Sequence, residues 1–111
     1  MAHQTAPQAE GRALLGGIVA DRLPGADIDE GPMFSTVGWR VGGRVFAFVG
    51  GGGELIVKLP ADRVGAVEAS GAGGRMTLGT RSMREWLAVP FSAGATWGDF
   101  VVEAHGFVAR L

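Results

Sequence analysis

Residues 34–60, FSTVGWRVGGRVFAFVGGGGELIVKLP, read as three antiparallel strands joined by two glycine turns. Gly42-Gly43 separates two runs rich in β-branched and aromatic residues, and a two-residue glycine loop between such runs is a strong hairpin signal. The pairing follows: Val41 opposite Arg44, Arg40 opposite Val45, Trp39 opposite Phe46 and Val37 opposite Phe48. With Gly50 to Gly53 all in the second loop, Val49 falls opposite Glu54, Phe48 opposite Leu55, Phe46 opposite Val57 and Val45 opposite Lys58.

Side chains alternate along a strand, so this register predicts a core face of Val37, Trp39, Val41, Phe46, Phe48, Leu55, Val57 and Leu59. Each large side chain there contributes roughly 1.5–3 kcal/mol when buried. The opposite face carries Gly38, Arg40, Val45, Ala47, Val49, Ile56 and Lys58. It is too apolar for plain solvent exposure and too charged for a core, so a helix, a second subunit or a ligand is expected over part of it. A one-residue slip in the four-glycine loop would exchange the faces of one strand.

Working outward, residues 1–8 are expected to be a flexible tail and 9–111 a single domain, since 111 residues suffice for one core and not two. From Gln8 to about Leu23, Leu14, Leu15, Ile18, Val19 and Leu23 recur at helical spacing, and Pro24-Gly25 stops the pattern. Gly16-Gly17 lies inside this helix, where a glycine pair costs stability unless it permits close packing on the sheet. GADIDEGP reads as an acidic loop leading to the first strand. Beyond the hairpins, Pro60 and Asp62 start a short helix through Ala69 that Ser70-Gly71 ends. GAGGRMTLGTR reads as a loop that touches a strand at Met76 to Leu78, and residues 82–89 as a fourth principal strand. There Met83, Glu85, Leu87 and Val89 point one way and Arg84, Trp86 and Ala88 the other. Thr96 and Asp99 suit a capping-box start to an amphipathic helix carrying Phe100, Val101, Ala104, Phe107, Val108 and Leu111. The order implies an α+β fold: a three-strand meander plus a further strand, packed with N-terminal, middle and C-terminal helices.

Composition narrows the function classes. Hydrophobic residues make up 47% of the chain and mean hydropathy is +0.23, which indicates a compact fold and not disorder. No apolar run approaches the roughly 20 residues needed to span a bilayer, and MAHQTAPQAE lacks the basic and apolar segments of a signal peptide. The location expected is cytoplasmic. The absence of cysteine removes disulfides, thiol catalysis and Cys-based zinc sites. A net charge of −1 argues against non-specific nucleic-acid binding. The charge is nevertheless uneven, with an acidic leading segment and a mildly basic sheet region.

The motifs Pro32-Met33-Phe34, VGGRVFAFV, LIVKLPADRV, ASGAGG and RSMREW, in that order and spacing, resemble the TfoX/Sxy N-terminal domain family from about Met33 to Leu111. Ser35-Thr36 stands where those proteins usually show glycines. The resemblance implies a YjbR-like fold and a regulatory module acting through protein contacts, including transcription regulation. It transfers no catalytic residue and no cofactor. The related MmcQ/YjbR-like proteins are commonly labelled DNA-binding, which implies nucleic-acid contact as the first alternative; a small-ligand binder is the second, which a deep pocket with convergent polar groups would favour.

Residue by residue, catalytic candidates are lacking. Gly50 to Gly53 is followed by Glu54 and a strand, without the Lys-Ser/Thr and helix of a phosphate loop. His3 and His105 are distant and have no carboxylate at ligand spacing. Ser35, Ser70, Ser82 and Ser92 have no GxSxG context, and Asp27, Asp29 and Glu30 form no EF-hand pattern. One constellation remains. Arg40, Lys58, Arg81 and Arg84 beside Trp86 are the candidates for binding an anion or acidic partner, and Val45, Val49 and Ile56 for an interface on the second face. Self-association through that face is one way to hide the patch.

Overall fold

The computed structural model describes residues 6–33 and 36–111. Its elements are α1 (Ala6–Arg22), β1 (Ile28–Met33), β2 (Thr36–Val41), β3 (Arg44–Val49), β4 (Leu55–Lys58), α2 (Ala61–Ser70), β5 (Gly74–Leu78), β6 (Arg81–Val89), a 3₁₀ turn (Phe91–Thr96) and α3 (Trp97–Ala109). The strands form one antiparallel six-stranded sheet in the order β1-β2-β3-β4-β6-β5, and the helices pack against it as an α+β fold.

Two strands lie where loops are expected. The acidic segment contributes β1, with Asp29 opposite Arg40 and Glu30 opposite Trp39. Its residues have poor β propensity, but an edge strand tolerates Pro32. The carboxylates are also held: Arg40 grips Asp29 through two hydrogen bonds of 3.2 and 2.6 Å, and Arg12 lies 3.8 Å from Glu30. On the opposite edge, GRMTL forms β5 and pairs with β6.

The central register differs from the expected one in two places. Val41↔Arg44 and Arg40↔Val45 pair as the glycine turn dictates, but Trp39 then faces Ala47 and Gly38 faces Phe48, so β3 gains one residue on β2 at Phe46. Such a bulge turns two successive side chains to one face. Phe46 and Ala47 both belong to the helix-side core, Phe46 meeting the ring of His105 on α3 edge-on at 5.4 Å. In the second hairpin the Gly50 N–H donates to the Glu54 carbonyl and Val49 faces Leu55, one residue beyond the expected partner. Together these shifts exchange Phe48 and Val49: Val49 joins the core under the helices, and Phe48 turns to the other side. Val49 is therefore corrected from an interface candidate to a fully buried core residue.

The helix-side core gathers Trp39, Phe46, Ala47, Val49, Leu55, Val57, Leu59, Leu87 and Val89 from the sheet, with Leu15 of α1, Val64 and Val67 of α2, and Trp97, Phe100, Val101, Ala104 and Val108 of α3. Of the tail expected over 1–8, residues 1–5 (His3 with them) lie outside the described residues, as do Phe34 and Ser35. Ala6 to Gln8 form the first turn of α1, and the buried Gln8 donates from Nε2 to the Val49 carbonyl at 3.1 Å. The close helix–sheet approach lies at Gly11 and not at Gly16-Gly17: a Cβ on Gly11 would sit 2.7 Å from the Gly53 carbonyl oxygen and from Val49 Cγ1. Gly53, at φ +85°, meets Pro7 equally closely from the other side. The second glycine turn is thus the seat of α1.

α2 ends at Gly71 in the left-handed conformation, as its sequence predicts. α3 begins at Trp97 without the expected capping box. The Thr96 hydroxyl donates back to the Ala93 carbonyl (2.8 Å), and Asp99 accepts from Arg22 of α1 (2.8 Å). Trp97 is fully buried and donates its Nε1–H to the Pro90 carbonyl. Leu111, expected on the apolar stripe, is 56% exposed, since the helix ends two residues earlier.

Candidate functional site

α1 packs on β3 and α3, α3 on β2, β3 and β4, and α2 on β5 and β6, all through the face that carries Trp39, Val49, Val57 and Leu87. The alternate residues form the other face: Asp29 and Gly31 on β1, Gly38 and Arg40 on β2, Val45 and Phe48 on β3, Ile56 and Lys58 on β4, Trp86 and Ala88 on β6. Among the described residues no helix covers this second face. Yet Phe48 and Ile56 on it are only 2% and 5% exposed.

Part of the cover comes from the protein's own β5–β6 hairpin. Gly74 pairs with Ala88 and Arg75 with Leu87, but Met76 pairs with Met83, so Arg84, Glu85 and Trp86 are three extra residues on β6. In a flat sheet β5 would lie three strand spacings, about 14 Å, from β3. Instead Met76, Thr77 and Leu78 line a groove of about 410 Å³ together with Phe48, Ile56 and Ala88. The bulge therefore bends the hairpin over the second face. Gln8 from the first turn of α1, Thr36, Val49, Gly50, Gly51, Glu54 and Arg75 complete the lining. The Glu54 carboxylate folds over Gly50 and accepts the Gly52 N–H at 3.1 Å. Trp86, outside that lining, stands edge-on to Phe48 at 5.6 Å.

The predicted cations divide. Lys58 and Trp86 are paired across β4 and β6, with the ammonium 5.5 Å from the ring centroid and 3.9 Å from the Glu85 carboxylate. Arg81 and Arg84 are exposed, line a smaller depression with Met83 and Trp86, and make no ion pair among the described residues. Arg40 stands apart. Its guanidinium lies across Gly31, where a side chain would leave it no room, and is committed to Asp29. The hydrogen bond to Arg40 holds the Asp29 carboxyl below its usual pKa and raises that of Arg40 in turn. On the opposite side of the molecule, Arg63 of α2 is bound through two hydrogen bonds to Glu103 of α3, and those bonds raise its pKa.

The structure thus brings Lys58, Trp86, Val45 and Ile56 to the second face, with Arg81 and Arg84 at the hairpin beside it. It withdraws Arg40 into an intramolecular pair and Val49 into the core. The sequence reading omitted Phe48, Met76 and Leu78 from the site. One signal was available for the first of these: Val45 to Val49 is five apolar residues in a row, a pattern of strands buried on both faces. His105 is edge-on to Phe46 with its buried Nε2 unbonded, and no group of three or more potential metal ligands occurs among the described residues.

What the fold and site define is a small α+β domain with helices on one face of its sheet and an open, cation-flanked groove on the other. The chain matches no protein-family model, no curated protein and no solved structure. No helix among the described residues is long and apolar enough to cross a membrane.

Proposed function

We propose that this chain is a non-enzymatic interaction module of the TfoX N-terminal type, acting in regulation through protein contacts on the helix-free face of its sheet. One observation carries the reading: all three helices pack on the same face, while the other combines a groove floored by Phe48 and Ile56 with the cations Lys58, Arg81 and Arg84 beside it. Aromatic and aliphatic groups with cations at the rim are the composition of protein-binding surfaces. The charged and amide side chains of the groove are committed within the protein, Glu54 to its own loop, Gln8 to the Val49 carbonyl and Arg75 to Glu68 at 3.9 Å, which leaves them turned away from the task of orienting a reacting substrate. The test is the double variant Lys58→Glu, Arg84→Glu. It should keep the wild-type melting temperature and lose the partner that the wild-type chain retains from native lysate; retention of that partner would refute the reading.

The Lys58–Trp86 contact gives specific support to a second reading, an accessory nucleic-acid-binding role, because cation and aromatic together suit a stacked base and its phosphate. A gel shift that weakens steeply with salt distinguishes it, since phosphate contacts release counterions. The net charge of −1 favours the protein partner.

A further inference from the structure

The two edges of the sheet are built differently. β1 carries Pro32 and two carboxylates, features that discourage strand addition. β5 has neither proline nor an acidic side chain. The Arg75 N–H of β5 donates to the Glu68 carboxylate of α2 (3.0 Å) and so points away from β6. Alternate residues of an antiparallel strand direct their peptide groups the same way, so Thr77 also turns its N–H and C=O outward. Leu78↔Arg81 closes the two-residue turn Gly79-Thr80, which agrees with that parity. With Arg75 held by Glu68, the open part of this edge is Thr77, which the bend at Arg84 to Trp86 hangs over the groove lined by Thr36, Phe48 and Ile56.

From this geometry we infer that the groove accepts an extended acidic segment of a partner protein, which adds as a strand to the outer edge of β5 and sets an apolar side chain between Met76, Leu78 and Phe48. The inference rests on the interaction-module reading and specifies its ligand. Charge decides the occupant. Arg81 and Arg84 are exposed and unpaired in the hairpin that forms the edge, and Lys58 lies beside the same Trp86. A second copy pairing β5 to β5 would bring no carboxylate to these arginines, since β5 carries none, and would leave the two sets about 14 Å apart across three strand spacings. An acidic segment meets them with opposite charge, while main-chain bonds to Thr77 give affinity and alternate side chains enter the groove, as in other strand-addition complexes.

The test uses the full chain. A library of random 12-residue peptides displayed on phage is selected against it, and a synthetic peptide from the enriched set is titrated into isotopically labelled protein. Enrichment of alternating apolar and acidic residues, with amide shifts at Met76 to Leu78 and Phe48, supports the inference. N-methylation at alternate peptide positions should then abolish binding in one phase only, and Arg81→Glu with Arg84→Glu should weaken it about tenfold or more. Binding at this face that is indifferent to N-methylation overturns strand addition and leaves the interaction-module reading standing. Shifts confined to the helical face, or enrichment of basic peptides, overturn both. No enrichment, or a β5-mediated dimer by light scattering, overturns the inference alone.

Discussion

The two faces of the same sheet solve the burial problem by different means. On one, Trp39, Val49, Leu55, Val57, Leu87 and Val89 are sealed by three helices, so their environment is set by elements distant in sequence. On the other, Phe48 and Ile56 reach nearly the same burial beneath a hairpin bent back from the sheet's own edge. A helix layer closes a core; a bent hairpin leaves a groove at its lip. The contrast explains why low exposure alone does not mark Phe48 as an inert core residue.

The largest test of that contrast is the pair Phe46→Ala and Phe48→Ala. The first empties a site enclosed by α3 and should cost about 3–5 kcal/mol in chemical denaturation. The second opens onto an existing groove that neighbouring side chains can fill, and should cost less by about 1 kcal/mol or more. Equal costs would mean that the hairpin closes the second face as firmly as the helices close the first.

Next in size is Gly11→Ala, which drives a methyl into the Gly53 carbonyl and Val49 where α1 meets the second glycine turn. A loss of about 1–3 kcal/mol is expected, whereas Gly17→Ala, with nothing within 4 Å of the added carbon, should be neutral or stabilising. Reversal of that order would place the close approach elsewhere. The double variant Lys58→Glu, Arg84→Glu on the other face should shift stability by no more than about 0.5 kcal/mol, while abolishing partner binding.

The smallest effect concerns pH. Arg40 lowers the pKa of Asp29, so the clasp contributes stability that is fully present above the unfolded carboxylate pKa, about 3.9. That contribution is lost as pH falls through the lower folded value. The difference in melting temperature between the wild type and Asp29→Asn should therefore be constant near neutrality and shrink below about pH 4. A difference that persists undiminished into stronger acid would show that the exposed pair acts through shape and not charge.

Much of the architecture was legible in local patterns. Gly42-Gly43 dictated the first hairpin, Pro60 and Gly71 bracketed α2, and the apolar spacing from Phe100 to Val108 announced α3. β1 was hidden because Asp29, Glu30, Gly31 and Pro32 are poor strand formers, and what holds the segment as an edge, its pairing with β2 and the contacts from Arg40 and Arg12, comes from elsewhere in the chain. The site was half legible. Lys58, Trp86 and Ile56 follow from alternation on β4 and β6, but Phe48 and Val49 required a bulge at Phe46 that no glycine or proline on β3 announces.

The sequence by itself determined that β2, β3 and β4 pair as a meander, because turn chemistry and side-chain period are local properties of the backbone. Only the tertiary structure decided which way β3 faces and where the β5–β6 hairpin lies. A strand that is apolar at every position satisfies either face equally, so the choice falls to what packs against it: α1 on the glycine turn, α3 on Phe46, and a three-residue bulge that folds β5 onto Phe48.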